Sequence, residues 1–173
     1  MLVPSASAFL AWLTVTENVA LPLREKTRMP NEAILEKVHK TLQLVGLDQD
    51  GEKRPSEISG GMQKRAGLAR AIIRDPAIVL YDEPTSGLDP VTSRTIDALI
   101  DNMRKQLGVT SVVVTHDLHS ALSIGSRIAM LHMGKIIELS TPDEFIRSSR
   151  PEVQAFLEAQ YITKRGEWER KVK

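Results

Sequence analysis

The chain has 173 residues, 42% of them hydrophobic and 26% charged, which is enough for one domain with a real core. Its formal net charge of +1 gives no electrostatic reason for a nucleic-acid partner, and the absence of cysteine excludes disulfides and thiolate metal sites. The longest uncharged stretch, Met1 to Thr16, is broken by Pro4, Ser5 and Ser7 and lacks a basic leader, so neither a signal peptide nor direct membrane insertion is expected.

Residues 1–13 show no regular pattern. Thr14 and Glu17 then form a capping box ahead of Val19, Ala20 and Leu21. Pro22 and Pro30 are expected to bracket a charged connection, after which Asn31 caps a second helix. Ile34, Leu35, Val38, Leu42 and Val45 share one face of it, and Gly46 closes it. The polar stretch 47–58, with Pro55, reads as a loop. A third helix is predicted from about Gly61 to Arg74, with Met62, Ala66, Ala69 and Ile73 as its apolar stripe and Pro76 as its stop.

Strands then alternate with helices. Ile78–Tyr81 is a continuous apolar run, as a strand buried on both faces requires. Asp89 caps and Pro90 opens a helix through Ile96, Ile100 and Met103, ended by Gly108. Ser111–Thr115 is a second strand, and a short helix passes through Leu118 and Leu122. Strands at 127–131 and 135–139 meet at Met133-Gly134. Thr141-Pro142-Asp143-Glu144 starts another capped helix, Pro151 opens the last, and a basic tail follows from Lys164. The β-α-β-α-β order implies a parallel sheet with helices on its faces.

Several positions suit phosphate chemistry. Asp82 and Glu83 end an apolar strand, where ligands bind in open α/β sheets; one aspartate suits hydrated magnesium, and a neighbouring glutamate can deprotonate water. Ser59-Gly60-Gly61 leads into a helix whose N-terminal amides can face a phosphate, although a simple N-cap and turn explains the same residues. Asp89 is equally well explained as a cap, and His116 follows a strand end from which it can donate to a phosphate oxygen.

Each signal is weak alone, and their order is specific. Ile58–Met62, Ile78–Pro84, Ser86–Pro90 and His116 together resemble the ATP-binding subunits of ABC transporters over residues 14 to about 147. The resemblance implies an α/β, partial P-loop NTPase (ABC ATPase) fold: a helical subdomain followed by the C-terminal half of the parallel-sheet core. The expected organisation is a poorly matching stretch 1–13, a helical subdomain 14–74 carrying the signature motif, the α/β half 75–140, and C-terminal helices with the basic tail 141–173. It further implies Ser59, Gly60 and Gly61 as the signature and Asp89 in the D-loop, all acting on nucleotide across a dimer. Asp82 would be the Walker B magnesium-associated carboxylate, Glu83 the catalytic glutamate and His116 the switch histidine.

ATP and Mg2+ are the implied cofactors. The implied partners are a second ATP-binding subunit and membrane permease subunits, at the cytoplasmic face of the inner (plasma) membrane. The string Ser-Gly-Gly-Met-Gln-Lys-Arg, with Met62 in place of the usual glutamine, looks like the phospholipid-transporting (Mla/Mce-type, toluene-tolerance) subunits; the alternative is a generic importer ATPase.

One motif is missing. No Gly-x-x-x-x-Gly-Lys-[Ser/Thr] occurs, and Gly134-Lys135, followed by isoleucine, cannot serve as the phosphate-gripping loop. The family's Q-loop glutamine would fall near Ser5. A misassigned start, a frameshift and a degenerate subunit that only lends its signature to a partner's ATP all explain this; truncation or frameshift is the expectation. Loss of neighbouring strands is expected to leave the strand near Ile78 with an exposed apolar edge.

Overall fold

A computed structural model describes residues 1–4 and 8–160. The elements in order are β1 (Leu2–Val3), α1 (Val15–Lys26), α2 (Asn31–Leu44), a 3-10 turn (Pro55–Glu57), α3 (Gly60–Ile72), β2 (Ile78–Asp82), α4 (Pro90–Leu107), β3 (Thr110–Val114), α5 (Leu118–Ile124), β4 (Ile128–His132), β5 (Lys135–Ser140), α6 (Pro142–Ile146) and α7 (Pro151–Ala159). Two compact units divide the chain, Met1–Thr115 and His116–Lys173. The Ser5 position and the tail from Lys164 lie outside the described residues.

In the first unit, Thr14 caps α1 through the expected box: Glu17 N donates to Thr14 Oγ1 at 3.1 Å and Thr14 N to Glu17 Oε2 at 2.8 Å. The helix does not stop at Pro22 but continues to Lys26. A proline in a helix interior forfeits a hydrogen bond and crowds the preceding turn. Burial of Val15, Val19 and Leu23 along one stripe, against α2 and α3, outweighs that cost. Asn31 is the first helical residue of α2, with Pro30 at the cap and no side-chain capping bond. Of its expected stripe, Ile34, Val38, Leu42 and Val45 are buried while Leu35 is exposed. Gly46 has φ +64, a left-handed conformation that suits glycine after a helix.

Strands β1, β2 and β3 form a parallel sheet with β2 in the middle. Two residues of β1 were too few to leave a pattern in the sequence, yet Leu80 N donates to Met1 O at 2.8 Å and locks the pairing. The expected burial of β2 on both faces is not what is seen. Val79 and Tyr81 are buried, whereas Ile78 is 51% and Leu80 42% exposed. With Leu2, Val112 and Val114 they line one open apolar face, so the exposed surface is a sheet face and not the edge anticipated. α4 is capped by Asp89 and ends at Gly108 (φ +65); burial of Ile96, Ile100 and Met103 contributes about 1.5–3 kcal/mol each.

In the second unit, β4 pairs antiparallel with β5 and does not extend the parallel sheet. Met133 (φ 45) and Gly134 (φ 75) make the tight turn that folds the two strands back on each other. The core of this unit is Leu118, Ile128, Phe145, Val153 and Leu157. α6 carries the expected Thr141/Glu144 capping box.

Candidate functional site

Three of the sequence-predicted segments meet in the first unit. Ser59 adopts an extended conformation (φ −66, ψ 162) and caps α3, its hydroxyl accepting from Met62 N at 3.3 Å. Ser59 and Gly60 are both exposed, so capping leaves their surfaces open to solvent. The helix is held from its polar side. Gln63 Nε2 donates to Pro55 O at 2.8 Å, and the Arg65 guanidinium donates to Val45 O at 3.0 Å and Gly46 O at 2.8 Å.

Asp82 is the last residue of β2 and is exposed beside Val114 of β3. Glu83 follows with φ +47, a left-handed conformation that costs a non-glycine residue on the order of 1–3 kcal/mol. Three contacts hold it there. Its N–H donates to Val114 O at 2.9 Å, and its carbonyl accepts from Ser86 N at 3.2 Å and from Lys64 Nζ at 3.3 Å. Burial pushes the Lys64 ammonium below its usual range, opposed by the negative charges of Glu83 and Asp82. Lys64 was missed in the sequence because Lys64-Arg65 reads as a solvated charged face; its spacing of three from Gly61 and four from Gly60 was the available signal.

Asp89 caps α4 with both oxygens. Oδ1 accepts from Val91 N and Thr92 N, each at 3.0 Å, and Oδ2 from Thr92 Oγ1 at 2.5 Å. The Thr92 hydroxyl first, and then the Thr92 amide, hold this carboxyl below its usual range. Capping therefore accounts for these three bonds of Asp89. Gly61 packs tightly here, since a Cβ on it would lie 2.7 Å from Thr92 Cγ2.

His116 is the first residue of the second unit. It is exposed, and its carbonyl accepts from Gln160 Nε2 at 3.3 Å.

Among the described residues no group of three or more His, Cys, Asp or Glu side chains could enclose a metal. Magnesium needs no such cage, because one or two carboxylates plus substrate phosphates suffice, and exposed Asp82 beside Glu83 fits that role. For ATP the fit is partial. Ser59, Gly60, Asp82 and Glu83 are residue types that suit a phosphate and its magnesium, while the sequence contains no Gly-x-x-x-x-Gly-Lys-[Ser/Thr]; Gly134-Lys135 turns between β4 and β5.

Residues 1–86 match the family model described as ABC transporter. The chain belongs with the ABC transporter ATPase domains. The match starts at residue 1, so it includes the irregular first 13 residues. The "Probable ribonucleotide transport ATP-binding protein mkl" of Mycobacterium leprae is 40% identical over 155 residues, covering 90% of this chain and 45% of that protein. The "Spermidine/putrescine import ATP-binding protein PotA" of Treponema pallidum is 42% identical over 137 residues, covering 79% of this chain and 36% of that protein. This ABC ATPase chain thus spans less than half the length of these curated relatives. Among solved structures, a dimeric post-hydrolysis state of the ATP-binding cassette MJ0796 bound to ADP and Pi superposes with a TM-score of 0.72 at 34% identity, over 82% of this chain and 62% of that one. The α/β fold with a parallel sheet is that of the ABC cassettes. The relatives' names carry ribonucleotide and polyamine cargoes and do not point to lipid.

Proposed function

We propose that the chain is an ATP-binding and ATP-hydrolysing energy-coupling subunit of an ABC transporter. The observation that carries the proposal is the placement of Asp82 and Glu83 at the end of a parallel strand, tied by Lys64 to the helix that begins at Ser59-Gly60-Gly61. Ser59, Gly60 and Gly61 would present donors to the γ-phosphate of an ATP gripped by a second ATP-binding subunit. Asp89 would lie at that dimer surface. Asp82 would hold Mg2+, which when bound neutralises charge on the phosphates. Glu83 would take the proton of the attacking water, and His116 would donate a hydrogen bond to the γ-phosphate. In this reading residues 14–74 are the helical subdomain and 75–140 the α/β half.

The subunit would dock on membrane permease subunits at the cytoplasmic face of the inner membrane; none of the described helices is long and apolar enough to cross it. The Met62-containing string supports a phospholipid cargo over a generic import cargo. Copurification of the transporter with bound phospholipid is the expected result, and a transporter binding only a polar solute would contradict it.

A second reading has its own observation. The exposed start of α3 at Ser59 and Gly60 suits a non-catalytic partner that lends Ser59–Gly61 to another subunit's ATP. Mixing the chain with a P-loop-bearing ABC ATPase subunit and measuring Mg2+·ATP turnover decides. Both readings expect turnover to rise and to fall back when Ser59 is replaced by arginine. Loss of the gain in Glu83→Gln favours the catalytic reading, and an unchanged gain favours the lending one. No rise and no complex would contradict both.

A further inference from the structure

The two ends of the proposed chemistry are mechanically joined within one chain. α3 starts at the signature, and one turn later Lys64 reaches across to the Glu83 carbonyl at 3.3 Å. The same helix start is wedged against the segment that follows Glu83. A Cβ on Gly61 would lie 2.7 Å from Thr92 Cγ2, and one on Gly60 would meet Leu88 Cδ2 at 3.9 Å. The Glu83 backbone is left-handed and is held there by neighbours, so its position depends on them.

We infer that Lys64 is a positioning residue that fixes the Glu83–Leu88 turn to the signature helix, so that movement of Ser59–Gly61 on nucleotide capture is delivered to the catalytic glutamate of the same chain. The inference deepens the proposed function and rests on its assignment of Glu83. Ser59–Gly61 acts on the partner's ATP and Glu83 on the chain's own, so the link makes each site of a dimer responsive to the other. Lys64 suits this task because an ammonium on a four-carbon stem can follow the carbonyl through small shifts. The Ser86 N–H and Lys64 both donate to the Glu83 oxygen, so loss of Lys64 removes the one of these two bonds that ties it to α3.

The test is site-resolved amide hydrogen exchange on the full chain, comparing wild type with Lys64→Met, Lys64→Gln and Lys64→Arg. Removal of the charged donor in Lys64→Met should speed exchange at residues 83–88 about tenfold, with Lys64→Arg staying within about twofold of wild type. Lys64→Gln, which keeps a polar head, covers the case in which Lys64→Met does not fold. Exchange at 83–88 that is unchanged, or a rise spread evenly over the chain without rescue by arginine, overturns the link. Mg2+·ATP turnover of Glu83→Gln in the mixture with the P-loop-bearing subunit separates the two ideas. If Glu83→Gln is silent while Lys64→Met frees the turn, the catalytic reading of Glu83 fails and the mechanical link stands. If Glu83→Gln is inactive and Lys64→Met is silent in exchange, the link fails alone.

Discussion

Gly61 of α3 sits against Thr92 of α4 with no room for a side chain: an added Cβ would stand 2.7 Å from Thr92 Cγ2. Thr92 has little freedom to turn away, because its hydroxyl is bonded to Asp89 Oδ2 at 2.5 Å. Gly61 is thus required by packing alone. Gly61→Ala should cost about 1–3 kcal/mol in urea unfolding. Adding Thr92→Ser removes the offending methyl and keeps the hydroxyl, so the double variant should regain most of the loss. A Gly61→Ala protein as stable as wild type would show that the two helices are not in tight contact.

Asn18 is fully buried, and its amide holds the segment that leads into α1. Its Oδ1 accepts from Leu10 N at 2.9 Å, and its Nδ2 donates to Leu10 O, Leu13 O and Thr14 O at 3.1, 3.2 and 2.9 Å. Asn18→Leu takes this partner from Leu10 N and Leu13 O, while Leu10 O and Thr14 O keep their backbone bonds, and should lower stability by about 1–3 kcal/mol, read as a shift of the denaturation midpoint. A loss below about 0.5 kcal/mol would mean that water replaces the amide, as at a surface site.

The α4 cap gives a pH dependence with a defined sign. The Thr92 hydroxyl and the Thr92 and Val91 amides hold the Asp89 carboxyl below its usual range, so the unfolded chain binds the proton more readily. The stabilisation is complete above the unfolded value of about 3.9 and disappears as pH falls through the lower folded value. Asp89→Asn, which caps without titrating, should flatten the acid limb of a stability-against-pH curve below about pH 4. An identical limb in both proteins would show that the carboxylate is not engaged.

These sites show how much was legible in the chain. Local chemistry was: the Thr14/Glu17 and Thr141/Glu144 boxes, the Asp89-Pro90 start and the Gly108 stop all encode their helix ends within a few residues. Features decided by distant burial were not. Pro22 reads as a breaker, and only the packing of Val15, Val19 and Leu23 keeps α1 going past it. Ile78–Tyr81 is uniformly apolar, so its alternation of open and buried positions left no trace in composition. At the site, the carboxylates and the Ser-Gly-Gly turn were visible as motifs, whereas Lys64 hid in a charged run, since only the tertiary fold brings it to Glu83.

The open sheet face has a physical consequence. Leu2, Ile78, Leu80, Val112 and Val114 place five exposed apolar side chains on one face of a three-stranded sheet. Such a surface promotes association. Leu80→Thr with Val112→Thr should raise the concentration at which light scattering sets in, with the circular dichroism spectrum unchanged. Equal scattering in both proteins would place the aggregation-prone surface elsewhere.

The central claim is that Ser59–Gly61 closes on ATP held by a second subunit. Sedimentation of the chain mixed with a P-loop-bearing ABC ATPase subunit tests it most directly, with hydrolysis in that subunit blocked. The account predicts a heterodimer that forms with Mg2+·ATP, falls apart with ADP, and does not form when Ser59 is replaced by arginine. Two independent species at every nucleotide condition, or a complex indifferent to both nucleotide and Ser59, would contradict it.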